Sequence, residues 1–360
     1  MRLVPLNAIK GNEILAKPVV DISGRILLSK GISIKLSYLN KLDEIGISEI
    51  YIDDKISEGI EIEDVLCDET RLKTKEIIQK EMQRYIKTKD INVREIQSIV
   101  NIIMQEVLVS KTDLINLKDL KLKDEYTFSH SVNVCILSVL LSIKLGLNQK
   151  KVHNIGIGCL LHDFGKILIP DKILAKSGKL SVEEFEEIKK HPIYGYEAIK
   201  NEIDISPSTK VTVLLHHERT DGSGYPFGYT AEKIHETAKI CSICDVFDAM
   251  TSDRVYREAL STSDAVEYLY STAGIYFDKK LVSEFLKLIP IYPAGTIVLL
   301  NNGLIGIIIK NNKSNLLRPI VRLLINPKTK MKYNNYIVDL MEDLTLKIDR
   351  EIKTNINEIM

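Results

Sequence analysis

The stretch Leu160-Leu161-His162-Asp163-Phe164-Gly165-Lys166 places an adjacent histidine and aspartate at the end of an apolar run, residues 155–161. Burying such a pair costs free energy unless both side chains find strong partners, and a metal ion is the strongest partner available. The alternative is a hydrogen-bonded core histidine beside a surface acid. The heptapeptide alone leaves both interpretations open, so the positions of the other histidines decide between them.

Five of the seven histidines form a series in which successive gaps are 32, 29 and 25 residues, followed by an adjacent pair; an aspartate lies 28 residues beyond the pair. Gaps of this size fit one helix plus one connection, so successive helices would each bring a ligand to a common point. Five imidazoles and two carboxylates exceed the needs of one tetrahedral ion, and they suit two ions that share a bridging carboxylate, most naturally Asp163. The predicted ligands are His130, His162, Asp163, His191, His216, His217 and Asp245.

The composition indicates a globular protein with more than one domain. A chain of 360 residues is too long for one ordinary core, and 45% hydrophobic and 27% charged residues are typical of globular proteins. The formal net charge of zero argues against a binder of nucleic-acid polymers or membrane surfaces. We expect no membrane span, because no apolar run reaches about 18–20 residues, and the start lacks a signal-peptide core. Five cysteines, an odd number, favour a reducing cytosol and a cytoplasmic protein.

The first part of the chain is predicted to be a small mixed α/β module, possessing no residues that suggest chemistry, followed by a helical connector. The apolar face of the connector would pack either on the domain that carries the histidine series or on a second copy of the chain in a homodimer. The expected parts are a module at 1–60, with strands at 13–20 and 25–28 joined by a turn at 21–24, a helix at 33–44 and a strand at 48–52, and the connector at 61–112.

The rest of the chain changes from a helical to a strand pattern, which gives a multidomain α+β fold. Residues 113–288 are predicted to form an all-α bundle that carries the site, and residues 289–360 a β-rich tail with an Asn-Gly hairpin. In the bundle, Ser181 opens a helix through a capping box, and Pro192 is expected to stop that helix directly after His191.

The motifs of the bundle, taken together, resemble the HD-GYP family of cyclic di-GMP phosphodiesterases, within the HD superfamily of metal-dependent phosphohydrolases. The resemblance covers roughly residues 113–300. It implies an all-helical HD domain and hydrolysis of cyclic di-GMP to pGpG or GMP by a hydroxide that bridges two metal ions. An HD pair alone is common, but this combination is specific. The motifs are His130, HDFGK at 162–166, His191-Pro192, HHE at 216–218, DGSGYP at 221–226 and DVFDAM at 245–250.

The resemblance also implies how the ligands divide between ions. Members with three ions carry a glutamate four residues before the first histidine of the series, and Tyr126 occupies that position here. Tyrosine is a poor substitute ligand, so two ions are expected, with iron or manganese favoured and zinc or nickel as alternatives. The expected ligands are His130, His162, Asp163 and Asp245 for one ion, and Asp163, His191, His216 and His217 for the other.

Five further side chains are expected to act on the substrate or on a ligand. Lys166 lies three and four residues after the HD pair, on the same helix face, so it would reach a phosphate oxygen, and it counts with Asp163 as catalytic. Asp248 would hydrogen-bond a ligand imidazole. Solvated or acid-paired cations are the ordinary alternative for the basic residues. The substrate contacts are assigned to Lys166, Tyr225 (stacking on guanine), and Arg254 and Arg257 (clamping a phosphate or a guanine edge).

The resemblance leaves an alternative from a different class. A degenerate member would be a catalytically silent cyclic di-GMP sensor, or a scaffold that binds a diguanylate cyclase partner through the loop at 221–228. All seven expected ligands are present, which favours the enzyme. The same loop argues against an HD hydrolase of other nucleotides.

Overall fold

The computed structural model describes residues 1–20, 26–45, 47, 49–62, 65–110, 114, 126–176, 178–252 and 259–352. Their contacts divide into two compact units. One unit contains the described residues from 1 to 62 and from 289 to 352, and the other contains those from 65 to 288. The predicted modules at the two ends therefore belong to one unit, while the finer boundaries at 60, 112 and 288 stay predictions.

The N-terminal part of the first unit holds a three-stranded antiparallel sheet, in the order β1-β5-β2, and a separate pair, β3-β4. The single strand predicted over 13–20 is wrong in extent, because Pro18 has no N–H for a sheet and separates two short strands. The turn predicted at 21–24 lies outside the described residues. The elements are β1 Arg2–Pro5, a 3-10 turn Leu6–Ala8, β2 Ile14–Leu15, β3 Val19–Val20, β4 Ile26–Leu28, α1 Leu36–Glu44 and β5 Glu49–Asp53.

The C-terminal part of the first unit is a five-stranded antiparallel sheet in the order β10-β6-β7-β8-β9. The predicted Asn-Gly hairpin is confirmed, with Gly303 at φ 82° in the turn. Ile56 and Ile60 pack in one cluster with Ile297 and Ile307 of this sheet, so both ends of the chain share a core. The strands are β6 Ile297–Leu300, β7 Ile305–Lys310, β8 Ile320–Ile325, β9 Lys332–Asp339 and β10 Ile348–Glu351.

The second unit is helical, as predicted for an HD domain. None of the helices within the described residues has the length and apolarity needed to cross a membrane. The helices are α2 Asp68–Thr88, α3 Val93–Val109, α4 Tyr126–Lys144, α5 Gln149–Leu160, a 3-10 turn Phe164–Leu168, α6 Asp171–Leu174, α7 Val182–Ile188, α8 His191–Ile199, α9 Pro207–Leu215, α10 Glu236–Thr251, α11 Thr262–Thr272 and α12 Lys279–Leu286.

Helix α3 buries its predicted apolar face inside the unit. A Cβ added at Gly156 of α5 would lie 2.8 Å from Val100 Cγ1 of α3, so the two backbones approach closely. Helix α3 therefore packs within its own unit. A homodimer stays a prediction. In α2 the predicted apolar stripe is only partly buried: Ile78 is 0% exposed, whereas Ile86 is 54% exposed.

The predicted stop at Pro192 is wrong. Helix α7 already ends at Ile188, and His191 is the first residue of α8, with Pro192 in its first turn. A proline in the first turn of a helix loses no intrahelical hydrogen bond, so it marks a beginning here. The capping box at Ser181, by contrast, is confirmed with both of its hydrogen bonds.

Candidate metal centre

The seven predicted ligands come from five places in the second unit. His130 lies in α4 and Asp245 in α10; the HD pair follows the end of α5. His191 begins α8, and the adjacent histidines follow α9. All seven side chains are buried except that of His217, which is 17% exposed. The fold therefore brings together every ligand that the sequence series predicted, although their roles stay a proposal.

The ligand atoms fall into two sets, and within each set they all lie within 4.8 Å of one another. Asp163 faces both sets, because its Oδ2 lies 3.4 Å from His162 Nε2 and its Oδ1 lies 3.3 Å from His191 Nε2. The sets are His130, His162 and Asp245, and Asp163, His191, His216 and His217.

A second carboxylate also lies between the sets. Asp245 Oδ1 is 3.0 Å from His130 Nε2, and its Oδ2 is 3.6 Å from His217 Nδ1. The sequence assigned Asp245 to one ion only, and spacing along the chain could not show that its two oxygens face opposite sides.

Backbone carbonyls fix the tautomers of His162, His191 and His216. In each, Nδ1 donates to the carbonyl three residues earlier, at 2.7–2.8 Å. A carbonyl only accepts, so Nδ1 carries the hydrogen and Nε2 of the neutral ring presents a lone pair. Burial, the largest effect, lowers the pKa of His162 and His216 and keeps these rings neutral. His191 Nε2 and His216 Nε2 are only 3.2 Å apart, an arrangement that a cation between them stabilises.

Asp163 supplies a second test of the fit to metal ions. Burial alone would raise its pKa, but the neighbouring His162 imidazole, the Lys166 ammonium and the His191 imidazole outweigh burial and hold the pKa well below its usual range. Its Oδ2 accepts from Lys166 Nζ at 2.6 Å, and its Oδ1 is buried with no hydrogen bond from any described residue. A buried, ionised carboxylate with a bare oxygen is costly unless a cation binds there. The donor set therefore fits metal ions.

The imidazole to which Asp248 hydrogen-bonds is that of His130. Its Nδ1 lies 2.7 Å from Asp248 Oδ2, and its Nε2 lies 3.0 Å from Asp245 Oδ1. Burial lowers the pKa of His130, but hydrogen bonds to Asp245 and Asp248 and their charges outweigh it and raise the pKa to about 9. Asp248 is itself held by Asn133, whose Nδ2 donates to Oδ1 at 2.9 Å. The sequence gave no sign of this role for Asn133.

Lys166 does not share a helix with the HD pair, contrary to the prediction. Helix α5 ends at Leu160, and Lys166 lies on the 3-10 turn that follows. Its side chain is 26% exposed and pairs with Asp163, so one face of the ammonium is occupied by the centre. Contact with a phosphate oxygen stays a prediction.

The loop at 221–228 lies directly against the centre. The Tyr225 ring stacks on His217, with centroids 4.6 Å apart and planes at 29°. Both carboxylate oxygens of the buried Glu218 accept backbone N–H groups of the loop, from Phe227 at 2.8 Å and Tyr229 at 2.9 Å. A Cβ added at Gly224 would lie 2.5 Å from Glu218 Cα, so only glycine permits this approach. Glu218 was part of a sequence motif, yet its role in holding the loop was missed.

Replacing Glu218 with alanine is expected to release this loop. Two part-buried backbone N–H groups lose a charged acceptor, so each loss falls near the lower end of the roughly 1.5–3 kcal/mol that hydrogen bonds to charged groups contribute. A combined loss of about 3 kcal/mol corresponds to a melting temperature lower by about 6–12 °C, at about 2–4 °C per kcal/mol for a unit of this size, and we also expect new proteolytic cleavage within 221–228. Calorimetry and mass spectrometry of protease digests measure both. Glu232→Ala, which removes an exposed acid nearby, is the control, and equal behaviour of the two variants contradicts the assigned role.

Three sequence predictions lie outside what the structure describes. Arg254 and Arg257 are not among the described residues, and of Tyr126 only the backbone, at the start of α4, is described. The substrate clamp and the exclusion of a third ion therefore stay predictions.

Two protein-family profiles match the chain, one in the helical unit and one in the C-terminal part of the other unit. The HD domain family profile matches residues 114–281, and the profile of the KOW domain associated with HD domain matches residues 297–358. The chain is similar to cyclic di-GMP phosphodiesterase PA4108 of Pseudomonas aeruginosa, with 36% identity over 250 residues, 69% of this chain and 60% of that protein.

Two further relatives carry related names. The response regulator RpfG of Xanthomonas campestris, named a cyclic di-GMP phosphodiesterase, is 42% identical over 149 residues, 41% of this chain and 39% of that protein. Cyclic di-GMP phosphodiesterase PdeB of Borreliella burgdorferi is 32% identical over 240 residues, 67% of this chain and 61% of that protein. The matched regions thus span between 39% and 61% of the relatives' lengths.

Proposed function

Because the chain belongs to the HD-GYP group of the HD-domain family, we propose that it is a metal-dependent phosphodiesterase that hydrolyses cyclic di-GMP. The observation that carries this proposal is the convergence of seven imidazole and carboxylate ligands in two adjoining sets, with Asp163 between them. The names of the similar proteins support cyclic di-GMP as the substrate. Adding one water across a phosphodiester bond gives linear pGpG, and cleaving the second bond gives two GMP.

Two ions per chain agree with the two sets. Asp163 would complete the set of His130, His162 and Asp245 while also belonging to the other set. Imidazole nitrogen and carboxylate oxygen, without thiolate, suit iron or manganese, and they also accept zinc or nickel. Bound divalent ions would lower the pKa of a coordinated water and balance the charge that develops on the phosphate.

The protein's own groups orient these ligands and receive the substrate. Lys166 pairs with Asp163 and keeps that carboxylate ionised at the point where both sets meet. Its partly exposed side chain is our candidate contact to a phosphate oxygen. Tyr225, which stacks on His217 at the edge of the centre, is our candidate contact to a guanine base. Burial is the main cause that raises the pKa of Tyr225, so it would meet the base as a neutral phenol.

The decisive experiment is hydrolysis by metal-loaded protein. Protein expressed with iron or manganese should contain about two ions per chain by elemental analysis, and chromatography should show cyclic di-GMP converted to pGpG or GMP. Chelation should stop turnover, and added Mn²⁺ should restore it. The assay also includes 3'3'-cGAMP, because hydrolysis of that dinucleotide alone would assign a different substrate. Tight binding of cyclic di-GMP without turnover would instead support a sensor or scaffold, for which the loop at 221–228 is the candidate surface for a cyclase partner.

The cellular location follows the same reasoning from chemistry. All five cysteines are free. Unpaired thiols are typical of a reducing compartment, which supports a cytoplasmic protein.

A further inference from the structure

A chain of buried hydrogen bonds runs from helix α2 to the metal ligand His130. Arg71 Nη1 donates to Asn133 Oδ1 at 2.9 Å, and Asn133 Nδ2 donates to Asp248 Oδ1 at 2.9 Å. The other oxygen of Asp248 lies 2.7 Å from His130 Nδ1. None of the four side chains is more than 9% exposed. The chain therefore links an arginine of the predicted connector to the metal centre through the protein interior.

The chemistry of each group fixes the direction of this chain. A guanidinium can only donate and a carboxylate can only accept, so the group between them must do both. The amide of Asn133 accepts from Arg71 and donates to Asp248, which an aspartate or a lysine at this position could not do. With one oxygen of Asp248 occupied by Asn133, the other is aimed at His130 Nδ1. That bond keeps a hydrogen on Nδ1, so Nε2, which contacts Asp245 Oδ1 at 3.0 Å, is the nitrogen that would bind an ion.

Burying the Arg71 guanidinium at this position costs free energy. Arg71 is 5% exposed, and its Nε has no hydrogen-bond partner among the described residues. Burying a guanidinium costs more than burying an apolar side chain of similar volume, so packing alone does not account for it. The hydrogen bond to Asn133 gives the buried guanidinium a polar partner.

Helix α2 also contacts the other side of the centre. The ring of Tyr85 meets Phe164 edge to face, with centroids 5.5 Å apart and planes at 75°. Phe164 follows Asp163 directly in the sequence. One helix thus supports a neighbour of Asp163 and, through Arg71, the orientation of His130.

We propose that Arg71 is a positioning residue for the metal centre, which holds His130 in its ion-binding orientation and tautomer through Asn133 and Asp248. The inference rests on the metal centre of the proposed function. It adds that a helix before residue 113, outside the region that the sequence motifs cover, sets the metal affinity of the set containing His130, His162 and Asp245. The set containing His191, His216 and His217 should not depend on Arg71.

The test is a calorimetric titration of chelator-stripped full-length protein with Mn²⁺. Arg71→Met removes the donor while keeping an unbranched side chain of similar length. We expect one of two Mn²⁺ sites to weaken about 10-fold, the lower end of the range for loss of an outer hydrogen-bond partner of a ligand because Arg71 acts through two intermediate side chains, and the other to keep its affinity. Arg71→Lys should recover part of the loss, because lysine still donates. In a His216→Ala background, which disables the other set, the remaining site should show the same weakening.

Two further variants separate positioning from general destabilisation. Ile78→Val trims a fully buried side chain of the same helix, so it should lower the melting temperature of the stripped protein without changing Mn²⁺ affinity. Asn133→Ala should weaken Mn²⁺ binding at the same site as Arg71→Met. The double variant should bind Mn²⁺ no more weakly than the weaker-binding single variant, because both residues act through the same series of hydrogen bonds. If Arg71→Met fails to fold, Asn133→Ala still tests whether these hydrogen bonds set the Mn²⁺ affinity.

The outcomes distinguish this inference from the proposed function. If the wild-type protein binds two Mn²⁺ ions and Arg71→Met and Asn133→Ala bind both with wild-type affinity, Arg71 has no positioning role, and the proposed function stands. If the wild-type protein binds none of Mn²⁺, Fe²⁺, Zn²⁺ and Ni²⁺ in the same titration, the metal centre itself is wrong and the inference falls with it. Equal loss at both sites would show that Arg71 supports the fold of the whole centre, which also overturns the inference.

Discussion

Asp163→Ala is expected to lose metal from both sets and to lower the turnover of cyclic di-GMP by at least about a thousandfold, equal to roughly 4 kcal/mol of transition-state stabilisation. The reason is geometric and electrostatic. The two oxygens of Asp163 face His162 and His191, one from each set. Its depressed pKa keeps the carboxylate anionic at any physiological pH. In the proposed two-ion centre, removing it would take an anionic ligand from both ions and leave the Lys166 ammonium facing them.

Metal content, melting temperature and turnover must be measured together on this variant. Asp163→Asn keeps the volume but replaces the charge, so it should lose metal almost as completely as alanine while disturbing packing less. Asp171→Ala, which removes an exposed acid eight residues later, should keep both ions and full activity. If Asp163→Ala keeps about two ions per chain and only melts earlier, Asp163 serves the fold and does not bridge.

The sequence predicted the histidine series because its ligands, singly or in adjacent pairs, come from different helices or helix ends. A bundle that gathers ligands in this way leaves gaps of 25–32 residues, and these gaps are visible without a structure. The same regularity explains why the helical unit was predicted well. Strong local signals mark the starts of several helices, such as the capping box at Ser181 and the side-chain cap from Asn148.

The side chains that support the ligands left no such pattern. Arg71 and Asn133 are 62 residues apart, and Asn133 and Asp248 are 115 residues apart. A polar residue on a helix usually faces solvent, so a buried arginine in α2 resembles a surface residue until the fold brings its partner to it. Glu218 is missed for a different reason: it caps backbone N–H groups, and backbone groups carry no sequence signature.

The sheets show where local patterns fail. Strand β9 exposes most of its residues on both faces, so it lacks the alternation by which strands are recognised. Strands β2 and β3 contain two residues each, too few for any pattern to establish. Pro192 was misread because a proline both follows the end of a helix and starts one, and only the backbone of α8 decides between these roles.

Gly165→Ala is expected to separate the two halves of the centre although it changes no ligand. A Cβ at Gly165 would overlap His191 O and Gly195 N, which are backbone atoms of α8 that no rotamer change can move. Helix α8 must therefore shift away from the HD segment and carry His191 away from Asp163, whose facing atoms are now 3.3 Å apart. Overpacking of this kind costs about 3 kcal/mol or more, which corresponds to a melting temperature lower by roughly 6–12 °C. We expect at least one of the two ions to be lost with it.

A graded series of glycine variants makes this prediction specific. At Gly178 an added Cβ meets nothing within 4 Å, so Gly178→Ala should leave melting temperature and metal content unchanged. At Gly195 it would lie 2.9 Å from Val213 Cγ1, a side-chain atom that can move, so Gly195→Ala should fall between the two. Calorimetry measures the melting temperature of each variant with and without chelator. A packing cost lowers it in the stripped and the metal-loaded protein alike, whereas a loss of bound metal lowers it only in the metal-loaded protein. If Gly165→Ala melts and binds metal like Gly178→Ala, the HD segment and α8 do not meet backbone to backbone, and His191 is not held against Asp163 in the way that the centre requires.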